Sequence, residues 1–209
     1  MQAKKYPITF ITGNKKKLEE FLSIITGSPL EEKFDITNKA FDLDELQGTP
    51  EFIASRKAKE ATNHCDSAVM IEDVSLCFNA FKGLPGPYIK DFLGNVGRQG
   101  LFDMLKGFED KSAYAQCTFA FCQGKGQEPI LFVGKCEGTI VAPQGDNAFG
   151  WDPVFMPNGF DKTFAEISLE EKNKISHRGR ALEKVKEYLE NNSEELIASL
   201  SQKVKKLDN

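Results

Sequence analysis

The 209-residue sequence predicts an α/β protein in which helices flank a mixed β-sheet. Three observations carry this. The first third reads strand, helix, strand, helix, strand with short loops, an order that favours a sheet covered by helices. The middle alternates from Ala113 to Cys122 and then turns back, which reads as antiparallel strands forming a second lobe on the same sheet. The length and a composition of 40% hydrophobic and 28% charged residues suit one soluble domain, in two lobes, with a substantial core.

The first unit organises the rest. Ile8, Phe10 and Ile11, with β-branched Thr9 and Thr12, make a short apolar strand. Gly13-Asn14 is the turn, and Asn14 is a good N-cap. Leu18, Phe21, Leu22 and Ile25 recur at helical spacing, and Gly27 marks the stop. Phe34 to Thr37 is a second short strand, leading into the acidic loop Asp42-Leu43-Asp44-Glu45, closed by Gln47-Gly48. Thr49-Pro50 starts a helix that runs to about His64. Val69 to Ile71 is a brief buried strand ending in Glu72-Asp73. Gly83 to Tyr88 is a rigid connector, followed by a helical stretch around Leu101 to Leu105. Beyond the alternating segment, Gly124 to Gly126 turns the chain, and Ile130 to Val133 and Cys136 to Val141 read as two strands. A helix from near His177 continues to Leu189. Leu196, Ile197, Leu200, Val204 and Leu207 then suggest a last amphipathic helix, over about 190–209.

Composition removes several function classes. A net charge of −4 argues against general nucleic-acid binding, although local lysine clusters can still hold phosphate. No secretory leader pattern and no membrane-spanning apolar run is evident, so a soluble, cytoplasmic protein is expected. The five cysteines contain no C-x-x-C and fit core packing in a reducing compartment. With two histidines in the chain, a histidine-rich zinc site is not expected.

The chemistry should gather at the carboxyl ends of the early strands. Lys15-Lys16-Lys17 occupies the first helical turn, where the helix dipole disfavours cations. A bound anion, held by lysines and backbone N–H groups, would resolve the conflict; a solvated lysine run is the plain alternative. Glu45 and Glu72-Asp73 lie at the same end, as carboxylates would if a hard cation bridged them to phosphate. Phe149-Gly150-Trp151-Asp152-Pro153 places the only tryptophan in a stiff loop, either stacked on a flat heterocycle or as a core ring. Ser176-His177-Arg178 supplies donors for a base or phosphate, or is simply a capped helix start. Lys57, Lys90 and Lys172 add positive charge from other elements.

Together these segments resemble the inosine triphosphate pyrophosphatases. Thr12-Gly13-Asn14-x-x-Lys17, Glu45-x-Gln47-Gly48, Glu72-Asp73, Gly83 to Lys90, Phe149 to Pro153 and Ser176 to Arg178 occur in that family's order, from about Ile8 to Leu189. Glu109 to Ala115 is similar to its eukaryotic branch. The resemblance implies an elongated two-lobed fold around a central cleft, a homodimer, and dependence on Mg²⁺, with Mn²⁺ able to substitute. It implies hydrolysis of ITP, dITP and XTP to the monophosphate and pyrophosphate. By position, Thr12, Gly13, Asn14, Lys15, Lys16 and Lys17 would bind the triphosphate, with Lys57, Lys90 and Lys172 as further partners. Glu45 and Asp73 would hold the metal, Asp73 and Lys17 would be catalytic, and Phe149, Gly150, Trp151, Asp152, His177 and Arg178 would hold the base. Val74 departs from the family, whose members often carry a hydroxyl or acid there; Ser75 is the candidate substitute. A pyrophosphatase for modified pyrimidine nucleotides and a non-catalytic nucleotide-binding module are the alternatives.

Overall fold

The parallel half of the sheet is built first. In a computed structural model of the chain, which describes residues 5–146 and 149–207 with side chains through residue 200, strand β1 (Tyr6–Ile11) pairs in parallel with β2 (Phe34–Lys39) and β3 (Ala68–Phe78). Helices α1 (Lys15–Ser23) and α2 (Pro50–Ala61) make the crossovers. Strands β5 (Ser112–Cys122), β6 (Ile130–Ile140) and β7 (Phe155–Pro157) then add antiparallel, giving the order β2-β1-β3-β5-β6-β7, and β4 (Pro85–Gly86) pairs with the far end of β3. Helices α3 (Ile89–Asp103), α4 (Leu169–Ile175) and α5 (His177–Leu207) follow, with short 3-10 turns at Asn79–Phe81 and Asp152–Val154. The mixed, helix-flanked sheet expected from the sequence is the one observed.

Side-chain alternation along β3 sets the two faces. Met70 joins Phe10, Phe21, Phe119 and Phe121 in a core beneath α1 and α5. Val69 and Ile71 face the other way and meet Ala54, Ala58 and Ala61 of α2, with Ala120 and Cys122. Further along, Leu76, Phe78, Ala113 and Ala115 continue the first face into a third cluster with Leu101, Trp151, Phe155 and Phe164. Both faces of β5 are therefore covered, so Gln116 and Thr118, on the polar side of the alternation, are buried as well.

Several boundaries differ from the sequence expectation. The strand read as Val69 to Ile71 runs to Phe78, because the apolar face continues as Leu76 and Phe78 under α3 after the Glu72-Asp73 interruption. Helix α1 ends at Ser23, and turns occupy the residues up to Gly27. Helix α3 starts at Ile89, well before Leu101, and is kinked at Gly97, whose φ of 66° is a left-handed backbone. The two strands read either side of Gly134 are one strand, β6. The two C-terminal helices are one, α5, whose residues beyond the expected break stay attached to the body. Leu196 is buried there, Ile197 and Leu200 pack on the α1 core, and Lys33 donates to Ser193 Oγ at 2.8 Å. The side chains of Val204 and Leu207 lie outside the described residues.

Candidate active site

The cleft exists because β1 is shorter than the strand beside it. β1 stops at Ile11, opposite Ile71, whereas β3 continues from Glu72 to Phe78 alongside β5. At that step in the sheet, groups from both faces reach one space. A cleft of about 700 Å³ opens there, lined by Thr12, Gly13, Asn14 and Lys17 from the β1–α1 turn, and by Glu45 from the acidic loop. Lys57 of α2, Glu72, Asp73 and Val74 of β3, Lys90 of α3 and Trp151 also line it.

Glu72 and Asp73 are consecutive on a strand, so they point to opposite faces. Glu72 goes to the α1 and α5 side. There its Oε1 accepts from Arg178 Nε at 2.6 Å and its Oε2 lies 3.3 Å from Lys17 Nζ. Burial alone would raise this carboxyl; Lys17 and Arg178 overcome it and hold the pKa down at about 2. Asp73 goes to the α2 side, 3.8 Å from Lys57 Nζ. Its desolvation outweighs the nearby Lys57 and Lys17 and pushes it up to about 6. Lys57 also donates to Glu45 Oε2 at 2.7 Å, so its ammonium lies between the two carboxylates.

That arrangement fits a hard divalent cation. Asp73 Oδ2 is buried without a hydrogen-bond partner, and a single Lys57 ammonium already serves both Glu45 and Asp73. Among the described residues no group of three or more His, Cys, Asp or Glu side chains converges as a ready-made ligand set. Magnesium does not require one, since it takes most of its oxygens from water and phosphate.

The lysine run divides by helical geometry. Successive residues on a helix are 100° apart, so one of the three side chains reaches the cleft. Lys17 does, paired with Glu72; Lys16 lies over the Phe149 ring at 4.7 Å; Lys15 is exposed and absent from the cleft wall. The backbone N–H groups of Lys16 and Lys17 are taken by the Asn14 side-chain oxygen, and the Asn14 N–H by Thr12 Oγ1. The expected anion site on free N–H groups is therefore partly closed by the cap that Asn14 provides.

The segment expected to hold the base is more buried than its sequence suggested. Trp151 is a core ring, 7% exposed, packed against Phe155, Phe164 and His177, and is not a presented platform. Half-buried Phe149 is the accessible aromatic, with Lys16 and Lys172 over its face. Asp152 is 3% exposed and pairs with Lys172; its burial nevertheless raises its pKa. Lys16, Phe149, Asp152 and Lys172 line a separate recess of about 60 Å³ and do not line the main cleft. Ser176 does cap α5, accepting from Gly179 N at 3.1 Å. His177, 4% exposed, is pushed well below its usual pKa by burial and by Arg178 and Lys172, and its Nδ1 has no partner. Arg178 Nη1 donates to Glu20 Oε2 at 2.8 Å, so two carboxylates fix the guanidinium. Gly150 sits in the left-handed region with φ of 53°, and its carbonyl accepts from Arg98 Nε at 2.8 Å.

Two contributors went unmarked in the sequence. Glu20 lies one turn after Lys17 on the same helix face, a spacing that could have flagged it. Tyr88 ties the acidic loop to the start of α3, its hydroxyl accepting from Gly48 N at 3.0 Å; nothing local in the sequence marks that bond. Val74 takes the Glu72 side of the strand and packs into the apolar clusters, while Ser75 shares Asp73's face with its Oγ buried and unpartnered.

Comparison with known proteins identifies the family and the fold. The Ham1 family profile matches residues 8–188. An inosine triphosphate pyrophosphatase from Scheffersomyces stipitis is 51% identical over 188 residues, covering 87% of this chain and 97% of that protein. A HAM1 protein from Coxiella burnetii superimposes with a TM-score of 0.81 at 27% identity, over 89% of this chain and 99% of that one. A nucleoside-triphosphatase described as a dITP/XTP pyrophosphatase, from Mycobacterium abscessus, gives 0.70 at 28% identity, over 86% and 97%.

Proposed function

Because the chain belongs to the Ham1 family, we propose that the cleft at the end of β1 is its active site. The protein hydrolyses non-standard purine nucleoside triphosphates, the class that includes ITP, dITP and XTP, to the monophosphate and pyrophosphate. The observation that carries the site is that Lys17 and Asp73, from opposite faces of the sheet, line one cleft.

Lys17, Lys57 and Lys90 neutralise the polyphosphate, with Thr12, Gly13 and Asn14 at the turn beside it. Lys15 and Lys16 add long-range charge. Glu45 and Asp73 are the residues that would hold Mg²⁺, which when bound supplies charge neutralisation on the polyphosphate and its leaving group. Asp73, with one oxygen unpartnered, is placed to orient water and accept its proton. Water attacks, the bond between the α- and β-phosphates breaks, and pyrophosphate leaves.

Phe149, Gly150, Trp151, Asp152, Lys172, His177 and Arg178 form the base end. Hypoxanthine and xanthine carry an oxygen acceptor at the six position, and adenine carries an amino donor. Donors from His177 and Arg178 would be left unpaired against adenine. A buried unpaired polar group costs about 1–3 kcal/mol, so two such losses discriminate by about a hundredfold or more. Guanine shares that oxygen, and its exclusion is assigned to a pocket wall with no partner for the exocyclic amine.

A homodimer, a single two-lobed domain and a cytoplasmic setting belong to the same reading. Phe92 and Val96, exposed one turn apart on α3, offer apolar contact area for a second copy. Among the described residues no helix is long and apolar enough to cross a membrane.

The test is pyrophosphate release from ITP, XTP, GTP and ATP, with and without Mg²⁺, in the parent protein and in Asp73→Asn. The parent should release pyrophosphate from ITP and XTP when Mg²⁺ is present. Asp73→Asn should bind ITP and turn it over about a hundredfold or more slowly. Parent-like turnover in that variant removes Asp73 from the mechanism.

A further inference from the structure

Between the two ends of the site lies a carboxylate to which neither end assigns a role. Glu72 has a side chain 1% exposed, on a sheet face otherwise made of Met70, Cys117 and Phe119. A charge in such surroundings is costly unless it is paired and hydrogen-bonded. Its two oxygens divide their work. Oε1 accepts from Arg178 Nε at 2.6 Å and from Cys117 Sγ at 3.3 Å. Oε2 faces Lys17 Nζ at 3.3 Å without completing a hydrogen bond.

Those partners come from opposite ends of the chain. Lys17 stands in the first turns of α1 and reaches the polyphosphate cleft, and Arg178 opens α5 beside the base-reading loop. Glu20 holds the second edge of the guanidinium at 2.8 Å, one turn after Lys17 on the same helix. Displacing the Glu72 carboxylate therefore displaces both cations. A simple counter-ion for Arg178 would not need to touch Lys17.

We infer that Glu72 is a positioning residue that sets Lys17 and Arg178 as one unit, so that the grip on the polyphosphate and the reading of the purine depend on a single buried carboxylate. The inference rests on the site reading proposed above. Its consequence is that one substitution degrades two properties measured with chemically unrelated probes. The first is affinity for inorganic tripolyphosphate, which has no base. The second is the ratio of kcat/KM for ITP to that for ATP, which differ at the base.

The experiment measures both properties in the full-length chain carrying Glu72→Gln, alongside its thermal unfolding. The inhibition constant of tripolyphosphate should rise by about tenfold or more, and the ITP-to-ATP ratio should fall by a similar factor. Glu72→Asp, which keeps the charge on a shorter stem, should recover part of both. A purely structural role lowers Tm and leaves the two readouts at parent values in the folded protein. If either readout stays at the parent value in folded Glu72→Gln, the coupling is refuted. Should Glu72→Gln not fold, Glu72→Asp decides, because a carboxylate withdrawn by one methylene must still move both. Lys17→Ala and Arg178→Ala separate this outcome from failure of the site reading. Unchanged tripolyphosphate affinity in the first, or an unchanged ITP-to-ATP ratio in the second, sinks that reading itself. If each single variant moves its own readout and Glu72→Gln does not move both, only the coupling falls.

Discussion

His177 packs against both Trp151 and Phe164, which also meet each other, and its ring is held neutral in the folded protein because burial, Arg178 and Lys172 all oppose its charge. The sign of the resulting pH dependence follows. An unfolded histidine titrates near 6.5, so below about that pH the unfolded chain takes up a proton that the folded one resists. This contribution to stability is therefore present above the unfolded pKa and lost as pH falls. Replacing His177 by Phe should flatten the stability curve between about pH 7 and 5, read by denaturant unfolding at each pH. Equal slopes in parent and variant would mean the imidazole is protonated when folded. The same segment illustrates how residue identity and residue environment part company. Ser176 as a cap was legible, since capping needs only the local chain. For Trp151 the sequence left a stacking ring and a core ring both open, and the choice of core was made by the packing of Phe155, Phe164 and His177 around it.

At the scale of elements, Gly134 shows why one strand looked like two. A glycine inside an apolar run reads as a break, yet β6 passes through it unbroken. Its role is clearance: a Cβ there would stand 2.1 Å from the His177 carbonyl oxygen and 2.5 Å from Ala181 N. Helix α5 rests directly on the strand at that point. Gly134→Ala should destabilise the fold by about 1–3 kcal/mol or more, as overpacking does, and should displace the start of α5 that carries His177 and Arg178. Parent-like Tm and kcat/KM would show that the helix gives way without cost. The length of β3 is the other element-scale lesson. Glu72 and Asp73 interrupt the apolar pattern and so resemble a strand end. They are mid-strand, and the functional step arises because β1 stops short.

For the molecule as a whole, α5 joins the family-matched body to a segment beyond it. The family profile ends at residue 188, but Ser193, Leu196, Ile197 and Leu200 continue onto the core that holds Leu30 and Phe34. Ending the chain after Asn191 removes this cover and the Lys33–Ser193 hydrogen bond. At about 1.5–3 kcal/mol for each fully buried aliphatic side chain, and less for half-buried ones, the loss should be about 3–5 kcal/mol. The cleft lies at the other end of β1, so kcat/KM for ITP should be kept at temperatures where the shortened protein is folded. A fall in kcat/KM without a fall in Tm would instead tie the extension to the active site. The cleft itself belongs to this scale, since Lys17 and Asp73 approach it from opposite faces of one sheet.

By itself the sequence determined the order of elements, the caps at Asn14, Thr49 and Ser176, and which residue types could bind phosphate, metal and base. Those properties are local, resting on spacing and on chemistry carried by each side chain. Tertiary structure decided that Lys17, and not Lys15 or Lys16, reaches the cleft, that Trp151 is core, and that Glu72 ties α1 to α5. These depend on where β1 ends relative to β3 and on which helix covers each face, and strand pairing between distant segments fixes both.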